Sequence, residues 1–168
     1  MKIDTFDVIA PSIFTTESID ESQLFGAFAT IWLCSEYHSK APLYRFAERI
    51  LPVLRNKQFA LFIKDNAPVA YFSWAKFTKE AEEAYLRNDD VLLESTNWCS
   101  GDNLWIIDWF APSNLTREIK PLIEQYLFPN EIWTALYHKS PVNHVQKRYF
   151  KGCAVSREQF RDFIRNHN

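Results

Sequence analysis

The sequence predicts one domain, residues 1–168, with an α/β architecture: an α+β mixed sheet carrying helices on its faces. Three observations predict it. Two stretches with helical spacing of apolar residues come first, two strand-like runs joined by turn residues follow, and strands and helices then alternate to the end. A chain of this length buries about two thirds of its unfolded surface, enough for a real core.

Each element has its own reason. The N-terminal stretch reads as irregular. Ser22 stands where a helix cap belongs, and Leu24, Phe28, Ile31 and Trp32 then form one apolar face, so a helix is expected over 22–37. Pro42 opens a second helix with Leu43, Phe46, Ala47, Ile50 and Leu54 at helical spacing, and Pro52 is expected to end or kink it. Strands are expected over 58–64 and 69–77, joined by Asp65, Asn66, Ala67 and Pro68, all turn residues except the alanine. Thr78 caps the charged helix "KEAEEAYLRN", and "NWCSGDN" turns the chain into the run "LWIIDWF". Ile119, Leu122, Ile123, Tyr126 and Leu127 mark a helix with Pro121 in its first turn, and residues 131–138 and 149–155 read as strands, the second weaker. Ser156 and Gln159 make a capping box for a last helix that buries Phe160, Phe163 and Ile164.

Composition excludes several functions. Three glycines, Gly26, Gly101 and Gly152, lie far apart, so no glycine-rich loop can wrap a phosphate with backbone N–H groups and no nucleotide-like cofactor is expected. A net charge of −2, without a basic stripe, argues against nucleic acid. The start "MKIDTFDVIAPSIF" places acids where a signal peptide has its positive region, and the longest apolar run, 27–34, is too short to cross a bilayer. A cytosolic protein without a transmembrane segment is expected. Cys34, Cys99 and Cys153 are odd in number and lack ligand spacing, so neither disulfides nor a metal site is indicated.

Asp108 is the anomaly of the strand "WIIDWF". Alternation puts it on one face with Ile106 and Phe110, and Trp105, Ile107 and Trp109 on the other, so both faces are apolar. A carboxylate there either caps the following turn or meets a cation. Among the four histidines, His167 is assigned to a frayed terminus, His144 to a polar loop and His138 to a strand end. His38 lies in "CSEYHSKAP", between two apolar helices, where it is either a helix C-cap or a base. Ser35 and Cys34, three and four residues earlier, share roughly its helix face. Nucleophile, base and orienting carboxylate form the general plan of acyl-transfer sites, and Asp108 is the carboxylate available. Cys34 is read as a small buried hydrophobe, with a thiol acyl-enzyme as the rival. Arg45, Arg49, Arg55, Lys57 and Lys64 scatter positive charge near the second helix, either ordinary surface or a patch for an acidic partner.

The blocks "LPVLRNKQFAL", "DNAPVAYFSWA" and "SGDNLWIIDWFAP", with "SEYHSKAP" before them, closely resemble the toxin-activating lysine acyltransferases that mature RTX protoxins. The similarity covers about 32–128. The resemblance implies a GNAT-like acyltransferase fold without the coenzyme A phosphate loop, and a cytosolic homodimeric enzyme. It implies transfer of a fatty acyl chain from acyl carrier protein to the ε-amino group of internal lysines of an RTX protoxin, with no cofactor bound by the chain itself. The family's essential histidine falls on His38, its aspartate on Asp108 and its serine on Ser35. A lysine must lose a proton before attacking a thioester, so His38 is expected as general base or transient acyl acceptor, Asp108 as its support and Ser35 as its orienting partner. The alternative is a non-catalytic chaperone that binds the toxin or the acyl carrier.

Overall fold

The structure is a computed structural model that describes residues 1–14, 20–36, 38–137 and 146–167. One seven-stranded sheet runs through it in sequential order: β1 (Lys2–Ile3), β2 (Phe6–Ile9), β3 (Phe59–Lys64), β4 (Ala67–Phe77), β5 (Asn103–Phe110), β6 (Ile132–Tyr137) and β7 (Gln146–Lys151). All neighbours are antiparallel except β5 and β6. That parallel pair needs a crossover, which α4 (Ser113–Leu122) and the π-helical segment Ile123–Leu127 supply. The other helices are α1 (Glu21–Leu33), α2 (Leu43–Asn56), α3 (Lys79–Arg87) and α5 (Arg157–His167). The predicted mixed α/β class is therefore correct, and the architecture is consistent with a GNAT-like fold.

Two apolar layers hold the sheet. On one face Phe62, Phe72, Trp74, Leu104, Ile106 and Trp133 pack with α4 residues such as Ile119 and with Phe6 and Val8 of β2. On the other, Phe59, Leu61, Tyr71, Ala75, Phe77 and Trp105 receive Leu24, Phe28, Ile31 and Trp32 of α1, together with Phe46, Ile50 and Val53 of α2. The face of α1 read from the spacing is the one that is buried; in α2, Phe46, Ile50 and Leu54 are buried as expected, Ala47 is half-buried and Leu43 is exposed at the helix start.

Several local expectations give way to chain context. The N-terminus forms β1 and β2 because its apolar residues Ile3, Phe6 and Val8 complete the sheet edge. The cap of α1 is Asp20, not Ser22; its Oδ1 accepts from the N–H groups of Ser22 and Gln23 at 2.8 and 3.2 Å. The helix stops at Leu33, short of residue 37. Pro52 stays inside α2, which continues to Asn56, because the proline is buried with Val53 and Leu54 and packing outweighs one lost backbone bond. Pro121 belongs to the end of α4, not its first turn, and the chain widens into the π-helical segment directly after it. The last strand ends at Lys151, earlier than expected, and Phe160, Phe163 and Ile164 of α5 are half-buried rather than buried. His167 is packed rather than frayed: its ring stacks on Phe163 at 3.9 Å and its Nδ1 lies 2.8 Å from the Phe163 carbonyl. His138 and His144 lie outside the described residues.

Two irregularities shape the region around β4 and β5. Asp65 and Asn66 both have positive φ, 52° and 60°, which makes a two-residue hairpin turn of the kind that matches strand twist. Pro68 then enters β4 beside a register shift, the place where a strand tolerates proline. Between β4 and β5, Ser73 faces Asp108 and Trp74 faces Ile106, so Ile107 is an extra residue in a bulge. One inserted residue changes which face every later side chain takes. Asp108 and Phe110 therefore lie on the α1/α2 face with Trp105, while Trp109 joins Phe72 on the opposite face. The strict alternation expected for this strand is corrected accordingly.

Gly152 ties the C-terminal strand to the crossover: a Cβ there would lie 2.1 Å from the Phe128 carbonyl oxygen and 2.2 Å from that of Pro129. Gly152→Ala is expected to lower unfolding free energy by about 1–3 kcal/mol, the usual cost of overpacking, because both contacts are backbone atoms. Urea denaturation of the purified variant measures it.

Candidate active site

Ser35, His38, Arg49, Ser73 and Asp108 meet where α1, the start of α2 and the bulged end of β5 converge. Chain order sets up the first pair. The C-terminal turn of α1 leads through Ser35 into a short 3-10 turn, His38–Lys40, and the Ser39 N–H donates to the Ser35 carbonyl at 2.9 Å. Within this compact turn Ser35 Oγ lies 2.8 Å from His38 Nδ1 and accepts the His38 backbone N–H at 3.3 Å. The imidazole packs between rings, with centroids 4.2 Å from Phe110 and 4.8 Å from Trp32.

Asp108 meets the cation that its burial demands. Arg49 Nε donates to its Oδ1 at 2.9 Å, and Ser73 Oγ donates to its Oδ2 at 2.6 Å. Ser73 Oγ also accepts the Asp108 backbone N–H at 3.2 Å, so one hydroxyl anchors the bulge and the carboxylate together. The Asp108 side chain is 12% exposed and that of Arg49 21%. An ion pair at this depth holds only when further hydrogen bonds satisfy it, which Ser73 provides. Arg49 also approaches Asp89 at 3.9 Å, so one guanidinium faces two carboxylates.

Electrostatics follow from burial and these charges. Burial lowers the His38 pKa from its ordinary 6.5, the negative charge of Asp108 opposes that shift, and the positive charge of Arg49 adds to it. Burial and the nearby Asp108 push the Tyr71 phenol well upward. Tyr71 is neutral and accepts a 2.6 Å hydrogen bond from Trp32 Nε1.

Two cavities open here, and His38 is the residue they share. A polar one of about 960 Å³ is lined by Trp32, Glu36, Lys40, Arg45, Asp89 and Asp108, among others. An apolar one of about 500 Å³ is lined by Ile31, Val69, Trp109, Phe110 and Leu115, with Cys34 and Ser35 at its wall. Of the tryptophans in this part of the fold, Trp74 and Trp105 are core, Trp32 borders the polar cavity and Trp109 lines the apolar one.

The structure thus brings Ser35 and His38 into contact and sets Asp108 on the wall of the same cavity. Cys34 is exposed rather than buried, since it caps α1 at the surface. Arg49 is not scattered surface charge: it is largely buried against Asp108. Arg49 and Ser73 were missed. Arg49 had a signal, lying three residues after Phe46 and so near the buried face of α2; Ser73 had one as the lone serine inside an apolar strand.

Arg49→Met should lower unfolding free energy by about 3–5 kcal/mol, because it leaves the Asp108 charge buried without its cation. Adding Asp108→Asn to that variant should recover a substantial part of the loss. A double-mutant cycle by chemical denaturation reads the coupling directly.

The profile of the HlyC, or RTX toxin acyltransferase, family matches residues 17–149, beyond both ends of the 32–128 similarity seen in the sequence. A protein-lysine myristoyltransferase HlyC of Escherichia coli is 37% identical over 125 residues, which cover 74% of this chain and 70% of that protein. The protein-lysine myristoyltransferase RtxC of Kingella kingae is 36% identical over 114 residues, covering 66% and 68%. The RTX-II toxin-activating lysine-acyltransferase ApxIIC of Actinobacillus pleuropneumoniae is 36% identical over 140 residues, covering 83% and 86%. On the extent of the family match and of these alignments, the chain belongs to the RTX toxin acyltransferase family.

Proposed function

We propose that the chain transfers a fatty acyl group from acyl carrier protein to the ε-amino group of internal lysines of an RTX protoxin, with His38 as general base. The observation that carries this reading is the position of His38, the residue common to an apolar and a polar cavity. A thioester with its chain in the apolar cavity has its carbonyl beside the imidazole, and an amine entering the polar cavity reaches the same point. The relatives' names, protein-lysine myristoyltransferase and toxin-activating lysine-acyltransferase, support the acceptor. Three isolated glycines favour a donor whose pantetheine arrives on a carrier protein, because no loop of the sequence is built to hold the phosphates of a free nucleotide-like cofactor. Family membership favours this enzymatic reading over a binding chaperone.

The chemistry assigns each group a task. His38 takes a proton from the lysine ammonium or from the attacking amine, the nitrogen bonds to the thioester carbon, the C–S bond breaks and the carrier thiol leaves with a proton. For Nε2 to be the basic nitrogen, Nδ1 carries the hydrogen and donates it to Ser35 Oγ, which fixes the ring. Asp108 stabilises the imidazolium formed during transfer by its charge, and Arg49 and Ser73 hold the carboxylate in place. A lowered pKa suits the task, since the imidazole is then neutral near pH 7. The reading also carries a cytosolic homodimer, which sedimentation and cell fractionation test.

Incubation with acyl carrier protein charged with myristate and with an RTX protoxin should add an acyl mass to internal lysines, read by intact-mass and peptide spectrometry. No mass gain on any lysine overturns the proposal. His38→Ala should lower the rate by about 10²–10⁴, the usual contribution of a positioned base.

The rate should fall in acid and rise to a plateau as pH passes upward through a pKa below 6.5, because only neutral His38 accepts a proton. Asp108→Asn removes the charge that raises this pKa, so the acid limb should move to lower pH while the plateau rate drops. Initial rates across pH 5–8, in buffers of constant ionic strength, measure both effects.

A further inference from the structure

The two cavities that meet at His38 differ in charge as well as polarity, and their charge distinguishes what each can hold. In the polar cavity the cations are already engaged. Lys40 lies 3.9 Å from Glu36, Arg45 lies 3.4 Å from Glu48, and Arg49 bonds Asp108. The first two pairs are exposed and close to neutral as units. Arg49 instead stands between Asp108 and Asp89, and Arg45 is also within electrostatic reach of Asp89; with Glu48 and Asp90 on the same wall, this corner holds two positive charges against four negative ones.

Asp89 has the geometry of a charge left over for a visitor. It precedes the 3-10 turn Asp90–Leu93, its side chain is 75% exposed, and it meets Arg49 only at 3.9 Å, whereas Asp108 takes the short bond to the same guanidinium. An additional anion in this corner would face an excess of carboxylates and a guanidinium already bound by one of them. A primary ammonium group would instead balance the charge. The corner lies in the cavity that contains His38 and Asp108, so a cation drawn to Asp89 is delivered to the base.

We infer that Asp89 is an acceptor-recognition residue: it draws the protonated lysine of the substrate protein into the polar cavity beside His38, while the acyl donor occupies the apolar cavity on the other side of the ring. This rests on the function proposed above and adds to it a direction of approach and a residue that selects the acceptor. Asp89 acts by charge on binding and takes no part in bond making. Lysine is preferred over neutral side chains at this step because it alone compensates the local excess of negative charge.

Two experiments test the assignment. In steady-state transfer to a peptide with a single internal lysine, Asp89→Asn should raise the acceptor KM about fivefold, the upper range of an exposed ion pair, and Asp89→Lys should raise it further. The donor KM should stay constant in both variants, and Asp89→Glu should restore the acceptor KM. Added salt should raise the acceptor KM of the native protein more than that of Asp89→Asn. An unchanged acceptor KM in Asp89→Asn and Asp89→Lys overturns the inference, as does a rise in donor KM instead, which would make the polar cavity the donor's.

Equilibrium binding separates this inference from the functional reading, because it needs no turnover. The fluorescein-labelled lysine peptide should bind the native protein more tightly than its Lys→Gln counterpart, and that preference should vanish in Asp89→Asn. Preference without any acyl transfer would support Asp89 and sink the acyltransfer proposal. Transfer without the preference would do the reverse.

Discussion

The Arg49–Asp108 ion pair is the constraint around which the site is organised. Taking a carboxylate out of water inside an aromatic layer costs several kcal/mol, and the fold recovers that cost only with a close cation and a second hydrogen bond. Both come from different parts of the chain: Arg49 from α2, Ser73 from β4. Their agreement fixes the spacing between helix and sheet along the line where the cavity opens. A lysine at position 49 would bring the same charge without the planar donor set that holds Asp108 and reaches toward Asp89.

The bulge at Ile107 turns that ion pair from an accident into a site. Without it, alternation would put Asp108 on the layer packed by α4, among Trp74, Ile106 and Phe128, away from Arg49. With it, the carboxylate faces α2 and shares a cavity wall with His38. The ladder from β5 to β6 covers Leu104, Trp105 and Ile106, whereas pairing to β4 continues to Phe110. The parallel neighbour is therefore left behind just where the bulge begins.

The amphipathic pattern made the class of fold legible, because α1 buries the residues its spacing nominated and α2 buries Phe46, Ile50 and Leu54, though not Leu43 at its first turn. Context decided what the pattern could not. Pro52 and Pro121 are helix interrupters in isolation, yet both lie inside helices, Pro52 held by its buried packing and Pro121 exposed just before the π-helical widening. The bulge left no local signal, since Ile107 is chemically like Ile106 and only register against β4 marks it as extra. At the site, Ser35 and His38 were readable because three residues along a chain can be judged by eye. The surroundings of Asp108 demanded a cation, but Arg49 lies 59 residues away and was indistinguishable from other basic residues of α2. Residues 138–145 hold two of the histidines and fall outside what the structure describes.

The unequal sequence separations have a consequence for how the protein matures. Ser35 and His38 are joined by a three-residue loop whose closure costs little entropy, so their contact is available as soon as α1 forms. The links from Asp108 to Arg49 and Ser73 span 59 and 35 residues and require β5 to have settled on β4. Such non-local pairings come late in folding. A nascent chain that has emerged only through β4 already holds the imidazole but lacks its carboxylate, and Arg49 then has no Asp108 to bind. Chain order thus makes the polar surroundings of Asp108 the last part of this region to assemble, and their formation reports completion of the sheet's centre.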